Sequence, residues 1–266
     1  MAISLADLRS TTATLPPRLC IYGPEGTGKT TLAASMPAPV FAQFEDGTPG
    51  GLELQTFGTL KTHSDMMDIV STLYSENHGF KTLVVDSMSA YQPALFAEVC
   101  QRHGKKSIED FGYGKGYTHA AEVFGEFMEG INALRRDKGM MIALLAHSTI
   151  SNFDDPETQS YSRYDIALHK TLSAMIARDM DAIFLLKRNV SVKTQDQGFN
   201  KERTIAEGGG QVWLHAEGRP SYVAKNRFGL PAKVRIEKEA PFDAIREYLP
   251  GLNTNSDNSK TSQKAA

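Results

Sequence analysis

The chain has 266 residues, 29 Lys and Arg against 31 Asp and Glu, and a formal charge of −2; this excludes a global basic field drawing it onto nucleic acid and leaves such contacts to local patches. Two cysteines, Cys20 and Cys100, are too few for a disulfide framework and suit a reducing compartment, and the longest apolar run, Met140 to Ala146, is far too short to span a membrane. The length accommodates one sizeable α/β domain, and an N-terminus without a hydrophobic signal segment predicts a soluble cytoplasmic protein.

Residues 1–16 read as a polar lead-in, 17–250 as the folded domain and 251–266 as a disordered polar tail with almost nothing to bury. A first strand over 18–23 runs into Gly23, Pro24, Glu25, Gly26, Thr27, Gly28, Lys29 and Thr30, which fit the pattern G-x-x-x-x-G-K-S/T at every fixed position. Thr31 to Met36 follow as a helix. In that context the glycines let backbone N–H groups surround phosphates. Lys29 would reach the β- and γ-phosphates, and the Thr30 hydroxyl would sit on Mg²⁺. The loop residues through Thr31 therefore imply a nucleoside triphosphate.

The next strand, 39–45, ends at Glu45 and Asp46. If it lies beside the glycine-loop strand, its terminal carboxylate points at the γ-phosphate and can polarise the attacking water, with Glu45 the first choice and Asp46 the second. The plainer reading is an acidic turn before Gly47. A helix over 64–74 precedes the strand 81–86, whose Asp86 would hold the Mg²⁺ shell or, alternatively, cap the helix at 90–101. Residues 120–134 place Ala120, Val123, Phe124, Phe127, Met128, Ile131 and Leu134 on one helical face. The strand 140–147 ends in His147, placed to contact the γ-phosphate or else to be a satisfied core histidine. After the strand 181–187, segments at 190–193, 204–206, 212–215 and 222–225 between glycine clusters predict an antiparallel extension of a mainly parallel sheet between helices. Cys100 and His103 have no second ligand pair, which argues against zinc. The absence of an Asn-Lys-x-Asp segment leaves adenine favoured.

This order of motifs resembles the core of RecA-like P-loop ATPases, which include recombinases and hexameric helicases. The segment Tyr222 to Gly229 is similar to the strand with which helicases of that group reach a neighbouring subunit's γ-phosphate. That resemblance implies Lys225 and Arg227 as fingers acting in trans; an exposed basic edge strand is the plainer alternative. More narrowly, GPEGTGKTTLAAS at 23–35, VFAQFEDG at 40–47, KTLVVDS at 81–87, GYGKGY at 112–117, LLAHS at 144–148 and AKNRFGLP at 224–231 resemble the small phage-encoded ATPases of the Sak-type single-strand annealing group, over about residues 15–250.

The resemblance implies an ATPase using ATP and Mg²⁺ that binds single-stranded DNA and promotes annealing or recombination. It further implies assembly as a ring or filament, often alongside a single-strand-binding protein, in the bacterial host cytoplasm. The chain departs from full recombinases in lacking a separate DNA-binding domain. In that architecture the segments after the third and fourth strands, about 102–117 and 149–166, touch DNA. The first offers Arg102, Lys105, Lys106, Phe111, Tyr113, Lys115 and Tyr117; the second offers Arg163 among acidic residues. Lysines track phosphates while aromatic faces stack on bases. Either segment could instead be a crossover or a subunit contact. A helicase-like or DNA-packaging motor, and a nucleotide-gated adaptor for a replication protein, are the competing readings on the same core.

Overall fold

The computed structural model describes residues 15–155, 159–189, 191–196, 202–207 and 210–252. Most of the predicted lead-in and tail lies outside these residues. The glycine-loop strand β1 (Arg18–Gly23) is buried along nearly its whole length. It is flanked by β5 (Met141–Phe153) and β7 (Ala182–Arg188), both parallel to it. Beyond β5 come β4 (Thr82–Asp86), β2 (Pro39–Gln43) and β3 (Thr56–Thr59), again parallel. On the other side of β7, β10 (Val212–His215) and β12 (Lys233–Ile236) continue the sheet antiparallel. The full order is β12-β10-β7-β1-β5-β4-β2-β3.

Parallel strands must bury both faces, so near-continuous apolar runs such as Leu83-Val84-Val85 are what this sheet requires. One face packs on α2 (His63–Ser75), α3 (Met88–Arg102), α4 (Lys115–Lys138) and α5 (Lys170–Asp179). The other packs on α1 (Lys29–Ala34) and α6 (Asp243–Arg246). Local chemistry sets the ends. Thr62 and Asp65 form a capping box at the start of α2. Gly139 adopts a left-handed conformation where α4 stops.

Three expectations need correction. The strand bearing Glu45 does not neighbour the glycine-loop strand, because β5 and β4 lie between β1 and β2. The 149–166 segment is no open loop. β5 runs on past the sheet and pairs antiparallel with β6 (Tyr161–Ile166), Ser148 opposite Ile166 and Phe153 opposite Tyr161. The antiparallel extension is also split. β8 (Ser191–Asp196) and β9 (Glu202–Glu207) make a separate two-stranded sheet, while β11 shrinks to Lys225 and Asn226 against β7. Glu157, one of the acidic residues of the 149–166 segment, lies outside the described residues. Among the described residues no helix is long and apolar enough to cross a membrane.

Candidate nucleotide site

The site grows from the C-terminal end of β1. A side chain at Gly23 would bring its Cβ to 2.0 Å from the Leu186 carbonyl oxygen of β7, so only glycine lets the two strands approach there. Gly28, at φ 90°, turns the loop into α1 with a conformation that other residues rarely adopt. Lys29 is buried, and its Nζ donates to the carbonyls of Gly23 at 2.9 Å and Pro24 at 3.0 Å. Burial lowers its pKa, opposed in part by Asp86, Glu45 and Glu25.

The Thr30 hydroxyl donates to Asp86 Oδ2 at 2.8 Å. Burial raises the Asp86 pKa, with Glu45 adding to the rise while the Thr30 bond, Lys29 and His147 oppose it. A hydroxyl and one carboxylate, with no cluster of three His, Cys, Asp or Glu among the described residues, fit a cation that keeps its remaining positions for water and phosphate oxygens. Magnesium has that habit. Glu45 sits two residues past the end of β2, and its carboxylate meets His147 Nε2 at 3.1 and 3.2 Å. A carboxylate only accepts, so Nε2 carries the proton. Nδ1 is buried and has no hydrogen-bond partner among the described residues. The His147 backbone N–H donates to Ser89 Oγ at 3.0 Å.

Glu25, Gly26, Gly28, Lys29, Thr30, Thr31, Glu45, Asp86 and His147 thus line one cavity of about 400 Å³. Asp46, the second choice for the base, is exposed and does not line it. A larger cleft of about 1030 Å³ opens from the same glycine loop, sharing Gly26, Gly28 and Thr31 and adding Arg188, Gln211 and Lys238. Arg188 is a functional candidate that the sequence reading missed: its Nη2 donates to the Gly26 carbonyl at 3.0 Å. Ending the seventh strand at residue 187 hid it, although the rule that polar strand ends face the phosphates would have found it one residue later.

Lys225 and Arg227 are not part of this cavity. They lie at the opposite end of β7, where Asn226 pairs with Ala182. Lys225 Nζ donates to the carbonyls of Ala177 and Arg178, closing the end of α5. Arg227 reaches Asp181 at 3.4 Å, where Arg18 already sits at 3.0 Å and Arg135 at 3.2 Å.

The residues expected to meet DNA divide into two groups. Arg102 is held by Glu98 and Glu126, each at 2.7 Å. Phe111 packs against the rings of His103 and His119. Tyr117 stacks on His169 at 3.8 Å and donates its hydroxyl to Glu109. Arg163 is paired with Asp165 and lies over Phe153. These four are therefore engaged within the chain. Lys105, Lys106, Tyr113 and Lys115 are exposed, and Tyr113 is as accessible as in an extended peptide, at 105 %.

The family model described as AAA domain matches residues 15–228, which include all of these cavity residues. No curated protein matches the chain.

Proposed function

The chain belongs to the AAA domain family of P-loop ATPases, and on that footing we propose that it is a RecA-like, ATP-hydrolysing protein that binds single-stranded DNA and promotes annealing and homologous recombination. The observation that carries the nucleotide half is the convergence of Lys29, Thr30, Asp86, Glu45 and His147 on one cavity, from helix α1 and the ends or course of three separate strands, β2, β4 and β5. Lys29 leaves the loop carbonyls for the β- and γ-phosphates. Thr30 and Asp86 would hold magnesium, whose charge would offset that on the transferring phosphoryl group. A water between Glu45 and the γ-phosphate gives its proton to the Glu45 carboxylate as it attacks the γ-phosphorus in line, while the bond to the β–γ bridging oxygen breaks and ADP leaves on the opposite side. The His147 Nε2–H, now given to Glu45, lines the same cavity and would exchange the carboxylate for a γ-phosphate oxygen as its acceptor.

The DNA half is supported by Tyr113 and its three lysine neighbours, exposed on one segment, which combine a π face with solvent-facing cations. That segment adjoins the base of the β5–β6 hairpin through the Tyr117–His169 stack, and the Ala167 N–H donates to the His147 carbonyl at 2.9 Å. In this reading Arg227 serves a neighbouring subunit's site across a ring or filament interface. The decisive assay is ATP hydrolysis with and without single-stranded DNA, against Lys29→Ala. DNA-stimulated hydrolysis that vanishes in the variant is the expected result. Hydrolysis indifferent to DNA, with no DNA bound in the presence of ATP, would favour the nucleotide-gated adaptor.

A further inference from the structure

The helix layer stops before the antiparallel edge of the sheet. Val212 and Leu214 of β10 and Val234 and Ile236 of β12 point into the α1/α6 core. By strand alternation Trp213, His215, Lys233 and Arg235 point to the other face, and no residue of β10 or β12 belongs to the helix-side core. The register aligns Trp213 between Lys187 and Arg235, and His215 beside Lys233. Lys233 Nζ stands 4.1 Å from the Trp213 ring centroid, and Lys187 Nζ 5.1 Å from that of Tyr164. Arg219 sits on the turn that bridges to Tyr222. Arg235 is paired with Glu237, whereas Lys187, Lys233 and Arg219 pair with no carboxylate among the described residues.

We propose that this sheet face, which no helix covers among the described residues although Tyr222 packs over His215, binds single-stranded nucleic acid, with phosphates on Lys187, Lys233 and Arg219 and bases against Trp213 and Tyr164. Unneutralised cations held close together ask for a polyanion, and interleaved aromatic rings select one that carries flat, unstacked bases. An acidic protein surface would satisfy the charge alone. The crowding of positive charge is visible at His215: burial first, and then Lys187, Lys233 and Arg219, push its pKa down to about 4. Lys187 is itself lowered by burial and by Lys233. The face is continuous with the β5–β6 hairpin, because Tyr164 belongs to β6 and bridges to Tyr222. It would thus lengthen the DNA track beyond the Tyr113 segment, and it rests on the single-strand reading only for the choice of ligand.

Trp213 is the sole tryptophan of the chain, so its emission reports on this face alone. The full-length protein, with ATP and magnesium, is titrated with oligo-dT while Trp213 fluorescence and the anisotropy of an end-labelled oligomer are followed together. Quenching with the same midpoint as the anisotropy is expected. Lys233→Ala with Arg219→Ala should reduce the magnitude of the salt slope by about 1.4, about 0.7 for each phosphate contact. Trp213→Ala should weaken binding about tenfold, with Trp213→Phe restoring most of it. Binding by anisotropy with Trp213 emission and salt slope unmoved would overturn this surface and leave the proposed function standing. No binding of the oligomer at all would overturn both. Quenching by poly-glutamate as strong as by oligo-dT would make the face a general acidic-partner site and overturn the nucleic-acid assignment.

Discussion

His147 presents its Nε2–H to both carboxylate oxygens of Glu45, at 3.1 and 3.2 Å, across two strands that do not touch each other. The carboxylate proposed to activate water is therefore steadied by a donor that lines the same cavity. Base and donor compete for the same few ångströms, so changes at either should separate binding from chemistry.

Glu45→Gln keeps the shape and the contact with His147 but removes the base. Nucleotide affinity should stay within a few-fold while the single-turnover hydrolysis rate falls by about 10²–10⁴. Equal losses in affinity and rate would reassign Glu45 to binding.

Asp86→Asn should stabilise the fold while abolishing magnesium-dependent hydrolysis. Burial raises the Asp86 pKa above its unfolded value. The favourable contribution is therefore complete below about pH 4 and is lost as pH rises through the folded pKa. At neutral pH the buried charge is a cost. Urea denaturation at pH 7 should show the variant more stable by about 1 kcal/mol, with the gap closing toward pH 4. A less stable variant at pH 7 would refute the argument.

Asp181 behaves in the opposite sense. Burial alone would raise its pKa, but hydrogen bonds from Arg18 and the charges of Arg18 and Arg135 outweigh that and hold it below the ordinary carboxylate value. Its contribution is present above the unfolded pKa, about 3.9, and is lost as pH falls through the lower folded value. Asp181→Asn leaves buried guanidiniums unpaired and should cost about 3–5 kcal/mol at pH 7. The difference from wild type should shrink below about pH 4. A loss independent of pH would trace the effect to packing rather than to charge.

Arg227→Ala is the cleaner probe of a shared active site, since Lys225 also closes α5 and its removal would loosen that helix. Mixing Arg227→Ala with Lys29→Ala subunits should restore part of the hydrolysis that each lacks alone. No recovery at concentrations that support assembly would assign Arg227 solely to the Asp181 cluster.

Local pattern located the glycine loop, the strand ending in Asp86, the strand through His147 and the α4 face, because each is a short-range signal in a period of two or 3.6. Where a partner distant in sequence decides the outcome, pattern fell short. Nothing near residue 45 encodes the insertion of β4 and β5 between its strand and the glycine-loop strand. Thr56–Thr59 is an exposed edge strand without an apolar run, and the polar alternation of 148–153 and 161–166 reads as loop until the two segments are paired. The basic and aromatic residues of 102–117 stand out in the sequence as a group. That Arg102, Phe111 and Tyr117 spend their chemistry on Glu126, His119 and His169 is a property of the folded packing.

β5 has no joint at His147. The same strand that is clamped in the sheet up to His147 runs on for six residues, Ser148 to Phe153, as one arm of the hairpin, a reach of about 20 Å. Such a beam, fixed at one end and stiffened by its hairpin partner, converts rotation at its root into translation at its tip. A tilt of about 5° where His147 meets its acceptor carries Phe153 and Tyr161 nearly 2 Å sideways, by lever geometry on that span.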